Sequence, residues 1–278
     1  MMSHRILKLY KIDNNPLVDS LNNLEISGKI RFLKSVLLKN SQFKVDDNGD
    51  WRLKFFVGKI YEQSFLVSEN LDLKEVELST LSVIVDKYNG FNSEHSEHLS
   101  LSIRDNKSIK LEKFLEYSSH YSYIDAKGIA FFSQLEGQQD HFKRHIILQA
   151  LAYAYLGAIE FITNKLAEKV NCNDCNISDL NDLYIEAAKF NSVFFFYQPV
   201  LSKNTGLTEA WRCIDKALEV NISSKELLEQ LSMVHYILNL DSENKKRALE
   251  KQAKNKQEKW NLAFVIIGII LAIIELLK

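Results

Sequence analysis

Histidines and carboxylates crowd into "SEHSEH" (93–98), where His95 and His98 stand three residues apart with glutamates beside them. Imidazole and carboxylate are metal-ligand chemistry, but a closed site needs three or four donors converging on one point. On a strand or loop this spacing fixes no further ligand, and the stretch reads first as an exposed polar loop. In "HFKRH", His141 and His145 stand four apart, which puts both rings on one face of a helix and within reach of a shared ion. No third ligand is identifiable in the sequence. The residues between them are Phe142, Lys143 and Arg144, so the glutamate of a zinc-protease helix is missing. A pair at a helix start is the plainer reading. Cys172-Asn-Asp-Cys175 is half of a zinc-type spacing without its second half, and Cys213 stands alone.

The remaining chemistry is thin. No glycine-rich phosphate loop, dinucleotide fingerprint or nucleophile elbow occurs, which removes the common nucleotide-dependent and hydrolase readings. We therefore expect no catalytic residue, no cofactor and no enzyme. A formal net charge of −1 gives no general attraction to nucleic acid. Three cysteines make no disulfide framework and suit a reducing compartment. The start, "MMSHRILKLYKIDNNPLVDS", carries no apolar signal region, so the body is expected in the cytoplasm.

The elements that would position these groups divide at about residue 136. With two prolines and nine glycines in 278 residues, long regular elements are expected. Residues 1–136 read as an α+β cytoplasmic domain. "RILKLYKI" suits a strand, "GKIRFLKSVLLKN" has a helical stripe, and "DDNGD" is a turn before strand-like "WRLKFFVGKIYEQSFLVS", with a bend at Gly58. "HLSLSIRD" alternates Leu99, Leu101 and Ile103 as a strand would, and "YSYIDAKGIAFFSQ" predicts a strand pair around Ala126–Gly128. "VELSTLSVIVDKY" fits either type. Residues 137–242 read as a helical cytoplasmic domain. Its first helix, 141–170, has an uncharged centre too short for a membrane, with Gln149, Tyr153 and Tyr155 spread around it, so a buried core helix is expected. Ser178 is a candidate N-cap for a second helix, and "LTEAWRCIDKALEV" predicts a third. The aromatic run Phe194–Tyr197 reads as core. A last helix starts at Asn221 or Ser223, and nothing in 225–277 breaks it.

That helix runs into a basic neck, residues 243–259, with seven Lys/Arg against three Glu. Its net +4 leaves −5 for residues 1–242, since Glu275 and Lys278 cancel. After the neck, Leu262–Ile274 is thirteen consecutive apolar residues, counting Gly268. As a helix, Trp260–Leu277 spans ~27 Å, a short crossing of a ~30 Å hydrocarbon core. Residues 260–278 are thus expected to be one transmembrane helix. Trp260 is its interfacial anchor, and Lys254, Lys256 and Lys259 are the membrane-proximal positive charges that keep the neck cytoplasmic. The expected topology is a C-terminal tail anchor in the inner (cytoplasmic) membrane, single-pass, with the bilayer as partner.

Asn261, Gly268, Ala272 and Glu275 follow one another at spacings of 7, 4 and 3, which places them on one stripe of that helix. Gly268 and Ala272 form a small-xxx-small pair that lets helices approach in lipid. Polar and ionisable groups in lipid usually face a bundle interior. One span per chain makes that bundle a homo-oligomer.

The segment "LLEQLSMVHYILNLDSENKKRALEKQAKNKQEKWNLAFVIIGIILAIIELL" resembles the stalk and first span of CorA-type transporters and their single-span relatives, over about a fifth of the chain. The Gly-Met-Asn signature after that span and the second span are absent, so no ion-transport residue carries over. The resemblance implies a homo-oligomer whose stalk helices converge on a ring of membrane helices. The function expected from these readings is a self-associating membrane protein whose cytoplasmic domain answers a protein or small-molecule trigger. The membrane bundle then opens or disturbs the bilayer as a pore, the plan of antiviral defence or stress effectors. The alternative is a non-channel adaptor that holds a binding domain at the membrane.

Overall fold

The alternation of side chains along two neighbouring strands sets the architecture. The computed structural model describes residues 2–12, 21–28, 30–70, 73–171 and 177–276, with the side chains of 171, 177 and 270–276 left out. Strands β1 (Met2–Ile12), β2 (Asn22–Asn23), β3 (Ser41–Val45), β4 (Trp51–Phe55), β5 (Gln63–Ser68), β6 (Val76–Asp86), β7 (Leu115–Glu116), β8 (Tyr121–Ile124) and β9 (Gly128–Ser133) form one sheet in the order β2-β3-β4-β5-β1-β6-β9-β8-β7. Leu81, Val83 and Val85 of β6, with Ile129 and Phe131 of β9, face the main core. Ile84, Ala130 and Phe132, one residue out of phase, face a smaller cluster. Both faces are therefore covered, and these two strands read as continuous apolar runs.

Neighbouring strands are antiparallel except β6 and β9, which run parallel with Thr80 opposite Gly128. A parallel pair needs a crossover. Helix α2 (Ser93–Arg104) lies on that connection and covers the smaller face with Leu99 and Ile103. A Cβ on Gly128 would lie 1.8 Å from the Thr80 carbonyl oxygen, so the register of this joint depends on the missing side chain.

Two sequence expectations are corrected here. "HLSLSIRD" is the end of helix α2 and not a strand. Asn92 caps α2 by accepting the His95 backbone N–H at 3.2 Å, and His95, Ser96, Leu99, Ser100 and Ile103 make a buried helical stripe. Leu101, which completed the strand alternation, is exposed. The helix expected across "GKIRFLKSVLLKN" is only α1 (Ser35–Lys39), because Leu33 instead bridges Val200, and Lys34 N–H donates to the Pro199 carbonyl.

The expected turns hold. Asp46 accepts the backbone N–H groups of Asn48 and Asp50 in the β3–β4 turn. Gly58 sits at φ +74° between β4 and β5. The strand pair around Ala126–Gly128 is the β8–β9 hairpin.

The large face of the sheet carries α3 (Gln139–Asn171), and α4 (Ile177–Lys189), α5 (Thr205–Leu218) and α6 (Val220–Leu276) pack on α3 in turn. Glu136–Val170 is, among the described residues, one helix long and apolar enough to cross a membrane. Two thirds of its apolar stretch is buried, by the sheet on one side and helices on the other, as a core helix requires. Its polar groups serve packing: the Tyr153 hydroxyl donates to the Leu78 carbonyl and the Tyr155 hydroxyl to the Phe194 carbonyl, both at 2.9 Å. Phe190 and Phe194, in a π-helical turn after α4, are buried against Phe56 and Tyr61, while Tyr197 is exposed. One core thus runs from β1 to α6.

Helix α6 has 57 residues, ~85 Å at ~1.5 Å per residue. Its buried positions, Val220, Ser224, Leu227, Leu231 and Val234, repeat by four and three. That is the seam of a coiled-coil-like contact. At the same spacing the seam passes the half-buried Leu238 and Asp241 and would then reach Lys245, Ala248, Gln252 and Asn255, which are polar or small. Beyond Asp241 the described side chains are exposed except for a half-buried Ala263, and the helix continues alone.

Candidate functional site

Two places in the molecule combine unusual chemistry with access. The first is a pocket of about 410 Å³ where the turn between β7 and β8, the first turns of α3 and the N-terminus of α5 meet. The second is the free end of α6.

The pocket is built by local structure. Tyr117 and His120 close the β7–β8 turn, with the Tyr117 N–H donating to the His120 carbonyl at 2.8 Å. Their rings stack at 4.5 Å, and His120 also lies flat on Phe131 at 4.7 Å. From α3, His141 stacks on His120 at 4.9 Å and His145 meets it edge-on at 5.7 Å. His141 and His145 therefore share one helix face, as their spacing predicted, and the third imidazole comes from 21 residues earlier.

Burial controls the charge of this group. His145 is pushed down to about 3, chiefly by burial and then by His120, His141 and Arg144. His120 is pushed down to about 4 by burial and by His141. His141 is lowered by burial and by Arg144, against an opposing pull from Asp140. All three rings are neutral at neutral pH. His120 Nε2 and His145 Nδ1 are buried without a hydrogen-bond partner among the described residues.

No group of three or more His, Cys, Asp or Glu among the described residues is arranged to hold a metal ion. Within the pocket the geometric reason is visible: the rings of His120 and His141 lie 24° from parallel, so they stack face to face rather than converge. Arg144 and Lys203 line the same pocket and would repel a cation. His95 and His98 are not brought together either. His95 is buried, 3.3 Å from Asp86, whose carboxyl is held down to about 2 by the Asn89 side chain, the Tyr88 N–H and His95. His98 is half exposed beside Glu94. Cys172 and Cys175 lie outside the described residues.

The opposite wall is the start of α5. Asn204 precedes it, but its side chain caps nothing. Thr205, Gly206 and Leu207 line the pocket from that end, and their N–H groups have no carbonyl four residues back within the helix. A second depression, lined by Arg31, Arg144, Lys203 and Asn204, adjoins the first. No carboxylate lines either one among the described residues. Asp140 is engaged by Ser27 and Lys143, and Ser27 also accepts from Arg144 at 2.9 Å. A larger cleft of about 690 Å³, between β1, β4 and the start of α3, has no buried unpartnered polar atom among its lining side chains.

Sequence reasoning missed His120, Lys203 and the α5 N-terminus. His120 stands alone in "SSHYSY" with no spacing to flag it. Asn204-Thr205-Gly206 before an apolar helix was a usable signal for a helix start, though not for what faces it.

On α6, Trp260, Leu262, Phe264, Val265, Ile266, Ile267 and Ile269 are 49–64% exposed. Asn261 is exposed, and a Cβ on Gly268 would meet open space. Lys254, Lys256 and Lys259 are exposed on the preceding turns. The side chains of Ala272 and Glu275 lie outside the described residues.

Comparison of the chain with protein-family models, with curated proteins and with solved structures finds no match to any of them.

Proposed function

We propose that this chain is a membrane-anchored protein that self-associates through its last helix, with the sheet and helices as a cytoplasmic sensing body and the membrane bundle as its effector. One observation carries the reading: α6 leaves the body after Asp241 and, between Trp260 and Ile269, presents seven large apolar side chains that no other described residue covers. A monomer in water does not sustain such a surface, because apolar area costs about 25 cal/mol per Å² when left wet. Lipid removes that cost. The basic neck fits the cytoplasmic side of a bilayer, and Trp260 fits the interface.

Self-association rests on the Asn261, Gly268, Ala272 and Glu275 stripe, placed by helix register. It also agrees with the CorA-type layout, in which stalk helices converge on a ring. Such helices side by side would shield Asn261 and Glu275 from acyl chains at little steric cost, since Gly268 opens the contact.

The test uses the full-length protein. Membranes from expressing cells are washed with alkaline carbonate, and the purified protein is sized in detergent and reconstituted in liposomes. Retention in the washed membrane, a discrete oligomer and triggered dye leakage are expected. Release by carbonate would overturn the anchor, and a monomer at all concentrations would overturn self-association. An oligomer without leakage under any trigger would replace the effector by an adaptor.

A further inference from the structure

We propose that the pocket between His120, His145 and the start of α5 is a binding site for a phosphate group of a small molecule. Four independent features point to an anion. The N-terminus of α5, a 14-residue helix, ends in the pocket with no side-chain cap, so its first-turn N–H groups and the positive end of its dipole are available. Arg144 and Lys203 line the pocket and supply the charge-assisted donors that phosphate selects. No carboxylate lines the pocket among the described residues, although residues 1–242 carry a net −5. Finally, His120 is 5% and His145 1% exposed, yet His120 Nε2 and His145 Nδ1 have no partner among the described residues. A buried polar atom left unpaired is unfavourable, and an acceptor oxygen brought to it relieves that when the ring carries its proton there.

The same features argue against a cation: two fixed positive charges and a helix N-terminus repel one. The volume, about 410 Å³, holds a phosphate with a modest organic group rather than a macromolecule. This assignment stands on the pocket alone and holds whether or not α6 enters a membrane.

Full-length protein in detergent is titrated with inorganic phosphate and with pyrophosphate at constant ionic strength, following heat by calorimetry and the unfolding temperature. Saturable binding is expected, with a raised unfolding temperature. Arg144→Gln and Lys203→Gln together should weaken it at least about tenfold, while Lys143→Gln, on the same helix and paired with Asp140, should leave it unchanged. Gly206→Asp is the second variant. A Cβ there meets the Tyr117 ring only at 3.6 Å, and an acid suits a helix start, so this protein should fold and bind no phosphate. Absence of saturable binding by the parent protein, or equal binding by the double variant and Gly206→Asp, would overturn the proposal. Stoichiometric zinc that is lost with His120→Asn would overturn it in favour of a metal.

Discussion

Asp215 and Asn221 lock the corner between α5 and α6: the Asp215 carboxylate accepts the Asn221 backbone N–H at 2.8 Å and its side-chain amide at 2.6 Å. Glu219, at φ +55°, is the single residue between the two helices. The pair therefore serves as an N-terminal cap for α6 and fixes the direction in which a 57-residue helix departs. Asp215→Ala removes both bonds and should lower stability by ~1–2 kcal/mol, read as a fall in denaturation midpoint. An unchanged midpoint would mean that the packing of Val220, Leu227 and Leu231 alone orients α6.

Gly128 is the tightest joint of the sheet. Gly128→Ala must displace the Thr80 carbonyl and break the β6–β9 register, and a loss above ~3 kcal/mol is expected. Gly90→Ala, where a Cβ meets nothing, is the control and should lie within about 0.5 kcal/mol. Equal midpoints for the two variants would show that the pairing is not tight.

The histidine pocket makes stability depend on pH. His145, held near 3 in the fold against 6.5 when free, is neutral in the folded state and charged in the unfolded one between those values. The unfolded chain then binds more protons, so stability is complete above about pH 6.5 and falls as pH drops towards 4. His120 and His141, lowered by the same burial, act in the same direction, and Arg144 reinforces it while Asp140 opposes it at His141 only. His145 alone contributes a slope of up to about 1.4 kcal/mol per pH unit in that window. Unfolding temperatures of the parent and of His145→Leu, scanned from pH 7 to pH 4.5, should show a shallower fall in the variant. Parallel curves would mean that the ring is charged in the fold.

The free end of α6 gives a separate prediction. Ile267→Lys places a charge in the middle of the apolar run and should cost about 2.5–3.5 kcal/mol of insertion, moving protein from the washed membrane to the soluble fraction. Gly268→Leu keeps the apolar character, so it should leave membrane retention intact and reduce the oligomer on native sizing. Retention of the Lys variant would point to a protein partner for this surface.

The sequence by itself determined the class of most elements and their order. Strand-like runs bounded by turn residues placed β1, β4, β5, β8 and β9, and an unbroken polar-to-apolar run placed the long final helix, because these are local properties of the chain. It misread "HLSLSIRD", where one exposed leucine completed a false alternation and the deciding contact was the Asn92 cap. It also anticipated the shared face of His141 and His145, since spacing four on a helix is a local fact. Only the tertiary structure decided that His120 joins them, that Arg144 and Lys203 line one pocket with the uncapped start of α5, and that no carboxylate lines that pocket among the described residues. The β7–β8 turn, the start of α3 and the start of α5 that carry those residues are separated by tens of positions, and no periodicity links them. The burial of α3 and the exposure of the end of α6 were likewise a matter of neighbours. Two apolar stretches differ because one fills the space between a sheet and three helices, and the other extends past the described residues that could cover it.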